Sequence, residues 1–170
     1  MKFSFKNDYS EGCHPKILEA LSQYNLDQQN GYGLDIYSEN AANIIREKSK
    51  SPESKVHLVS GGTQANLIVI SSILRPHESV VSANTGHIFT NETGAIEATG
   101  HKVHGVETKD GKLRPEDIQN VLDVHTNVPH QVKQKLVYIS NSTEVGTIYT
   151  KKELENLSEF CKKKNLYLFM

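Results

Sequence analysis

The stretch Val56-His57-Leu58-Val59-Ser60-Gly61-Gly62-Thr63-Gln64-Ala65-Asn66-Leu67-Ile68-Val69-Ile70 is the most informative in the chain. Four mainly apolar residues, 56–59, read as a short buried strand. Ser60-Gly61-Gly62-Thr63 reads as a tight turn, and Gln64 to Leu74 as a helix stopped by Pro76. Glycines let a backbone turn sharply and approach a ligand closely. The start of a helix offers unpaired N–H groups and partial positive charge, which suits a phosphate, and Thr63 adds a hydroxyl. No Gly-Lys-Ser/Thr follows at nucleoside-triphosphate spacing, and the three-glycine dinucleotide spacing is missing. The turn reads equally as an ordinary Gly-rich connection capped by Thr63.

The same rhythm extends outward. Upstream, Pro15 to Tyr24 is expected to be a helix with Ile17, Leu18 and Leu21 on one face. Gln28 to Tyr37 reads as a loop. Ser38 is expected to cap a second helix with Ala41, Ile44 and Ile45 inward. Downstream, Ser79 to Ala83 reads as a strand, Asn91 to Thr99 as a helix closed by Gly100, and Lys102 to Val106 as a strand. Pro115 to Val124 reads as a helix and Lys135 to Ser140 as an apolar strand. Thr150 and Glu153 form a capping box for a helix whose Leu154, Leu157, Phe160 and Cys161 face the core. Lys162-Lys163-Lys164 falls in that helix's last turn, where lysines complement the dipole. Leu166 to Met170 begins another strand. The alternation predicts an α/β fold: a three-layer sandwich with a mainly parallel sheet covered on both faces.

Composition narrows the function. The 170 residues carry 19 Lys+Arg against 20 Asp+Glu, so net charge gives no reason to expect nucleic acid or a membrane surface as partner. No apolar run reaches the roughly 18–20 residues that span a bilayer. The opening residues lack the apolar stretch of a secretory signal, and Cys13 and Cys161 have no paired spacing. A cytoplasmic, reducing setting is therefore expected, with no zinc site.

Two further segments join the phosphate turn as candidates. His87 follows the Ser79–Ala83 strand, and Asn141-Ser142-Thr143-Glu144 follows the Lys135–Ser140 strand. Ligands of open α/β sheets collect at such carboxyl ends. Individually, His87 reads as well as a core histidine, and the polar cluster as a hydrogen-bonded turn. Together, three strands deliver polar groups to one edge. The other seven histidines receive no role.

With these residues in view, the chain resembles the low-specificity L-threonine aldolases, β-eliminating lyases of the pyridoxal-phosphate fold-type-I group. The resemblance rests on Asn7-Asp8-Tyr9-Ser10-Glu11-Gly12 with His14-Pro15, and on Gly31-Tyr32-Gly33 with Asp35 and Tyr37. It continues through Ser60-Gly61-Gly62-Thr63-Gln64-Ala65-Asn66, then Gly86-His87-Ile88 with Glu92-Thr93-Gly94-Ala95, all in order. It implies that Gly62 and Thr63 hold the phosphate of pyridoxal 5'-phosphate. It implies that His87 stacks on the pyridine ring near the substrate hydroxyl. Asn7 aligns with a position, often serine, that binds the substrate carboxylate. Tyr37 would lie near a neighbouring subunit's site in a homodimer or homotetramer. Thr143 and Glu144 are assigned to the substrate, although their motif differs in composition from the family's.

The implied reaction is cleavage of a β-hydroxy-α-amino acid, such as L-threonine or L-allo-threonine, to glycine and acetaldehyde. Residues 1–50 would then form N-terminal helices and an active-site loop, and 51–170 the first part of the large, cofactor-binding domain. Family members continue past a strand like Leu166–Met170 into an Asp-Gly-Ala-Arg-like segment and, later, the cofactor-binding lysine. The chain is therefore expected to be roughly the first half of an enzyme, truncated at Met170 and inactive alone. Two other readings stay open: another fold-type-I lyase or aminotransferase-like enzyme, and a non-catalytic remnant that keeps the phosphate turn.

Overall fold

The computed structural model describes residues 11–170, and the chain divides into two compact units between Leu58 and Val59. Among the described residues, the first unit holds two helices. Helix α1, Pro15–Tyr24, has proline in its first turn and the His14 ring as its cap, Nδ1 accepting from Lys16 N–H at 3.2 Å. Helix α2, Ile36–Lys48, starts three residues earlier than the sequence suggested. Asp35, not Ser38, is its cap: the carboxylate accepts from Ser38 N–H at 2.7 Å and from the Ser38 hydroxyl at 2.6 Å. A carboxylate at that position satisfies an orphan donor and favours the positive helix end, so it outcompetes the serine. The expected inward face is also corrected: Ala42 is buried, whereas Ile44 and Ile45 are exposed.

The second unit is the α/β body. Helix α3, Gly62–Ile73, leads to strand β1, Glu78–Ala83. The short helix α4, His87–Thr90, follows, then strand β2, Val103–Val106. Helix α5, Pro115–Val124, strand β3, Lys133–Tyr138, helix α6, Lys151–Lys163, and strand β4, Tyr167–Phe169, complete it. The sheet order is β2-β1-β3-β4, and every pairing is parallel, with Val80 opposite both Val103 and Leu136, and Leu136 opposite Tyr167.

Side-chain alternation builds two cores, one per sheet face. Val81, Ala83, Val137 and Ile139 meet Leu113, Ile118 of α5, and Leu157 and Cys161 of α6. Leu154 and Phe160 pack against that cluster as expected. On the other face, Val80, Val103, Leu136 and Tyr138 meet Ile70 of α3, Ile88 of α4 and Ile96. This is the covered, mainly parallel α/β sheet that the strand–helix rhythm implied.

Two expected elements fail for physical reasons. Residues 56–59 form no strand, and Leu58 and Val59 are 59% and 42% exposed. Extended apolar residues become a strand only when another strand takes up their hydrogen bonds, and among the described residues none pairs with them. The helix expected over 91–99 is interrupted, because Thr93 and Gly94 adopt positive φ of 55° and 76° and leave only a 3₁₀ turn, Glu97–Thr99. Gly100 ends that turn at φ 87°, in the left-handed role read from the sequence. Among the described residues, no helix is long and apolar enough to cross a membrane.

Candidate active site

The site grows from the start of α3. The first intrahelical bond runs from Ala65 N–H to Gly61 carbonyl at 3.0 Å, and no side chain caps the helix. Gln64 instead turns back, its Oε1 accepting from Ser60 N–H and from the Ser60 hydroxyl, both at 2.8 Å. The N–H groups of Gly62, Thr63 and Gln64 precede the helical ladder, and the space where Cβ atoms of Gly61 and Gly62 would stand is open. Uncapped helix N-termini of this kind suit an anion.

The turn after β1 supplies the second part. Gly86 N–H donates to Ala83 carbonyl at 2.9 Å, and Phe89 N–H to Gly86 carbonyl at 2.9 Å, which starts α4 at His87. A Cβ at Gly86 would collide with Ser82 Oγ. Glycine is thus required by close approach rather than by dihedral angle. Within this turn, Asn84 Oδ1 and Thr85 Oγ1 are buried with no partner. Buried polar atoms without a partner are uncommon in folded proteins.

The two parts are joined through residues to which the sequence reading gave no role. Asn66 lies three residues beyond Thr63, on the same face of α3. Its Nδ2 donates to Glu92 Oε1 at 2.6 Å, and the same oxygen lies 2.9 Å from His87 Nδ1. The His87 side chain is 37% exposed, while the Glu92 side chain is fully buried. Tyr138, at the end of β3, is held here as well. Burial pushes its hydroxyl above the usual tyrosine range, with Ser140 as its hydrogen-bond neighbour and Glu92 adding to the upward shift. Asn66 and Glu92 are 26 residues apart, so no local spacing links them, although both lie within the motifs quoted above.

The remaining candidates fall in separate places. Thr143 is buried in the turn after β3, where its hydroxyl lies 2.7 Å from Thr147 Oγ1 and its N–H donates to Thr147 carbonyl at 2.8 Å. Glu144 is exposed and accepts from the Ser140 hydroxyl at 3.3 Å. Thr143 and Glu144 line one cleft with Thr85, Gly86, Tyr138 and Ser140, at the carboxyl edge of the sheet. Tyr37 belongs to the first unit. Its hydroxyl bonds Asp27, which raises its pKa to about 12, and its ring packs against Tyr24 at 5.1 Å. Asn7 lies outside the described residues.

An uncapped helix start and a carboxylate-tethered histidine lie at the carboxyl side of a parallel sheet, where α/β folds collect ligands, and the fold is that of the fold-type-I pyridoxal-phosphate enzymes. The chain belongs to the beta-eliminating lyase family, whose model matches residues 9–170. It is 32% identical over 168 residues to a low specificity L-threonine aldolase from a Pseudomonas species, covering 98% of this chain and 48% of that protein. The chain thus spans about half the length of the curated relatives it matches. Among solved structures it is similar to a Leishmania major threonine aldolase, at 54% identity and a TM-score of 0.94, covering 99% of this chain and 49% of that one. A pyridoxal-phosphate-bound C–S lyase from Staphylococcus hominis shares the fold, at 19% identity and a TM-score of 0.61, covering 89% of this chain and 39% of that one.

Proposed function

We propose that this chain is the phosphate-binding and ring-stacking portion of a pyridoxal-phosphate-dependent aldolase that cleaves β-hydroxy-α-amino acids such as L-threonine to glycine and an aldehyde. The observation that carries this reading is the Asn66–Glu92–His87 link, which holds an anion-ready helix start and an accessible aromatic ring in one site. The residues suit a phosphorylated aromatic cofactor. Gly62, Thr63 and Gln64 offer N–H donors and a hydroxyl to the phosphate. His87 offers a ring face, and Asn84 and Thr85 hold buried oxygens without partners. The resemblance to threonine aldolases supports the choice of reaction.

When bound, the cofactor supplies an electron sink for the pair released as the Cα–Cβ bond breaks. The protein's part is to seat the phosphate, orient the substrate and accept a hydrogen bond from its hydroxyl. In this reading Gly62 and Thr63 seat the phosphate, and His87 stacks and reaches the substrate hydroxyl. Asn7 meets the substrate carboxylate, and Thr143 and Glu144 lie on the polar side of the cleft. Tyr37 serves a neighbouring subunit's site. The half-exposed apolar stripe Ile17, Leu18 and Leu21 on α1 supports assembly of this kind.

A binding comparison tests the phosphate seat. Pyridoxal phosphate should bind at least tenfold more tightly than pyridoxal, read by quenching of tyrosine fluorescence. Equal affinity would remove the phosphate assignment. Acetaldehyde release from L-threonine by the complete protein tests the reaction, and transamination or β-elimination in its place would redirect it.

A further inference from the structure

Glu92 is a costly residue to bury. It is 5% exposed, and its two contacts, from Asn66 and His87, converge on Oε1, while Oε2 is buried with no partner. An apolar side chain would fill that volume more cheaply if packing were its only task. With Glu92 ionised, Oε1 can only accept, and His87 Nδ1–H is then the donor. The neutral imidazole then carries its lone pair on Nε2. Asn66 fixes the accepting oxygen from the other side, so the His87 ring is held in rotation as well as in tautomer.

We propose that Glu92, anchored by Asn66, is a positioning residue that fixes His87 as the Nδ1–H tautomer and leaves Nε2 free to accept a hydrogen bond from the substrate hydroxyl. The identity of the hydroxyl rests on the aldolase reading above; the tautomer does not. The arrangement follows the same logic as the buried carboxylate that orients the histidine of a serine-protease triad. Glu92 touches no reacting atom in this scheme and acts through His87.

The test is long-range proton–nitrogen correlation NMR on protein labelled with 15N-histidine. In the unaltered protein His87 should show a protonated Nδ1 and an unprotonated Nε2 at pH 8. A protonated Nε2 overturns the proposal with no variant needed. Glu92→Gln keeps an oxygen acceptor facing Asn66 and should keep the tautomer. Glu92→Leu removes the acceptor and should give a mixture of both forms. Retention of a pure Nδ1–H form in folded Glu92→Leu overturns the proposal. In the cofactor-loaded enzyme, Glu92→Leu should lower kcat on L-threonine roughly 100-fold with KM within about twofold, and Glu92→Gln should recover part of the loss. A rise in KM with unchanged kcat also overturns it. Failure to cleave threonine by the unaltered enzyme, with the expected tautomer in place, would count against the aldolase reading and leave the Glu92–His87 relation standing.

Discussion

Position 86 shows how little room the site leaves. The Cβ that collides with Ser82 Oγ would also press on Ala83 carbonyl at 3.0 Å, and both neighbours are buried at the end of β1. Gly86→Ala is therefore expected to cost about 1–3 kcal/mol, the usual range for an overpacked site, measured by urea unfolding. Neutrality there would mean that the β1–α4 turn has slack. Thr63→Val should weaken pyridoxal phosphate binding by about 1–3 kcal/mol through loss of a charge-assisted hydrogen bond, and unchanged affinity would count against Thr63. His87→Ala should reduce threonine cleavage by the complete enzyme while moving the thermal midpoint of the cofactor-free protein little, because the ring is 37% exposed. A large loss of stability with normal activity would make His87 a structural residue. Thr63 and His87 were visible in the sequence as candidates because each follows a glycine at the start of a helix. Asn66 and Glu92 were not, because their meaning is a contact between segments that only the folded sheet brings together.

At the scale of elements, α6 shows the clearest local writing. Thr150 Oγ1 accepts from Glu153 N–H at 3.3 Å, and Glu153 Oε2 accepts from Thr150 N–H at 2.7 Å, the capping box read from the sequence. Thr150→Ala should cost roughly 0.5–2 kcal/mol in denaturant titration. Glu153 also accepts from Lys112 Nζ at 2.6 Å, and that bond, with the Thr150 N–H and hydroxyl, draws its pKa from 4.5 down to about 2. The sign follows from the lowered value. The carboxylate's contribution is complete above about pH 4.5 and is lost as pH falls towards 2. Thermal midpoints should therefore decline over that window, and Glu153→Gln should flatten the decline. Caps and first-turn prolines are local signals, which is why α1 and α5 were readable to the residue and α6 at its capped start. Residues 56–59 and 91–99 were misread because a strand depends on a partner elsewhere, and because Thr93 and Gly94 turn the backbone against the helix.

At the scale of the molecule, the 170 residues correspond to 48% of the curated threonine aldolases they resemble. The resemblance places the cofactor-binding lysine and the carboxylate for the ring nitrogen in segments with no match in these residues. The 170-residue polypeptide supplied with pyridoxal phosphate is accordingly expected to release no acetaldehyde from L-threonine. Turnover by a 19.0 kDa species verified by mass spectrometry would overturn that division of labour. Among the described residues β4 is an edge strand, with Tyr167 51% exposed. An apolar edge invites pairing, so light scattering of the 170-residue polypeptide should report more than one chain per particle.

The two-sided core has a consequence for engineering. In the proposed reading the face made by α3, α4, Ile96 and Tyr138 carries most of the chemistry, whereas Ile118, Leu157 and Cys161 fill the opposite face. On that reading, α5 and α6 stand on the side of the sheet away from α3 and α4. Stabilising substitutions on α5 and α6 can accumulate without the activity penalty that usually accompanies them, and that reserve would let the reactive side absorb changes of specificity that a thinner scaffold could not tolerate.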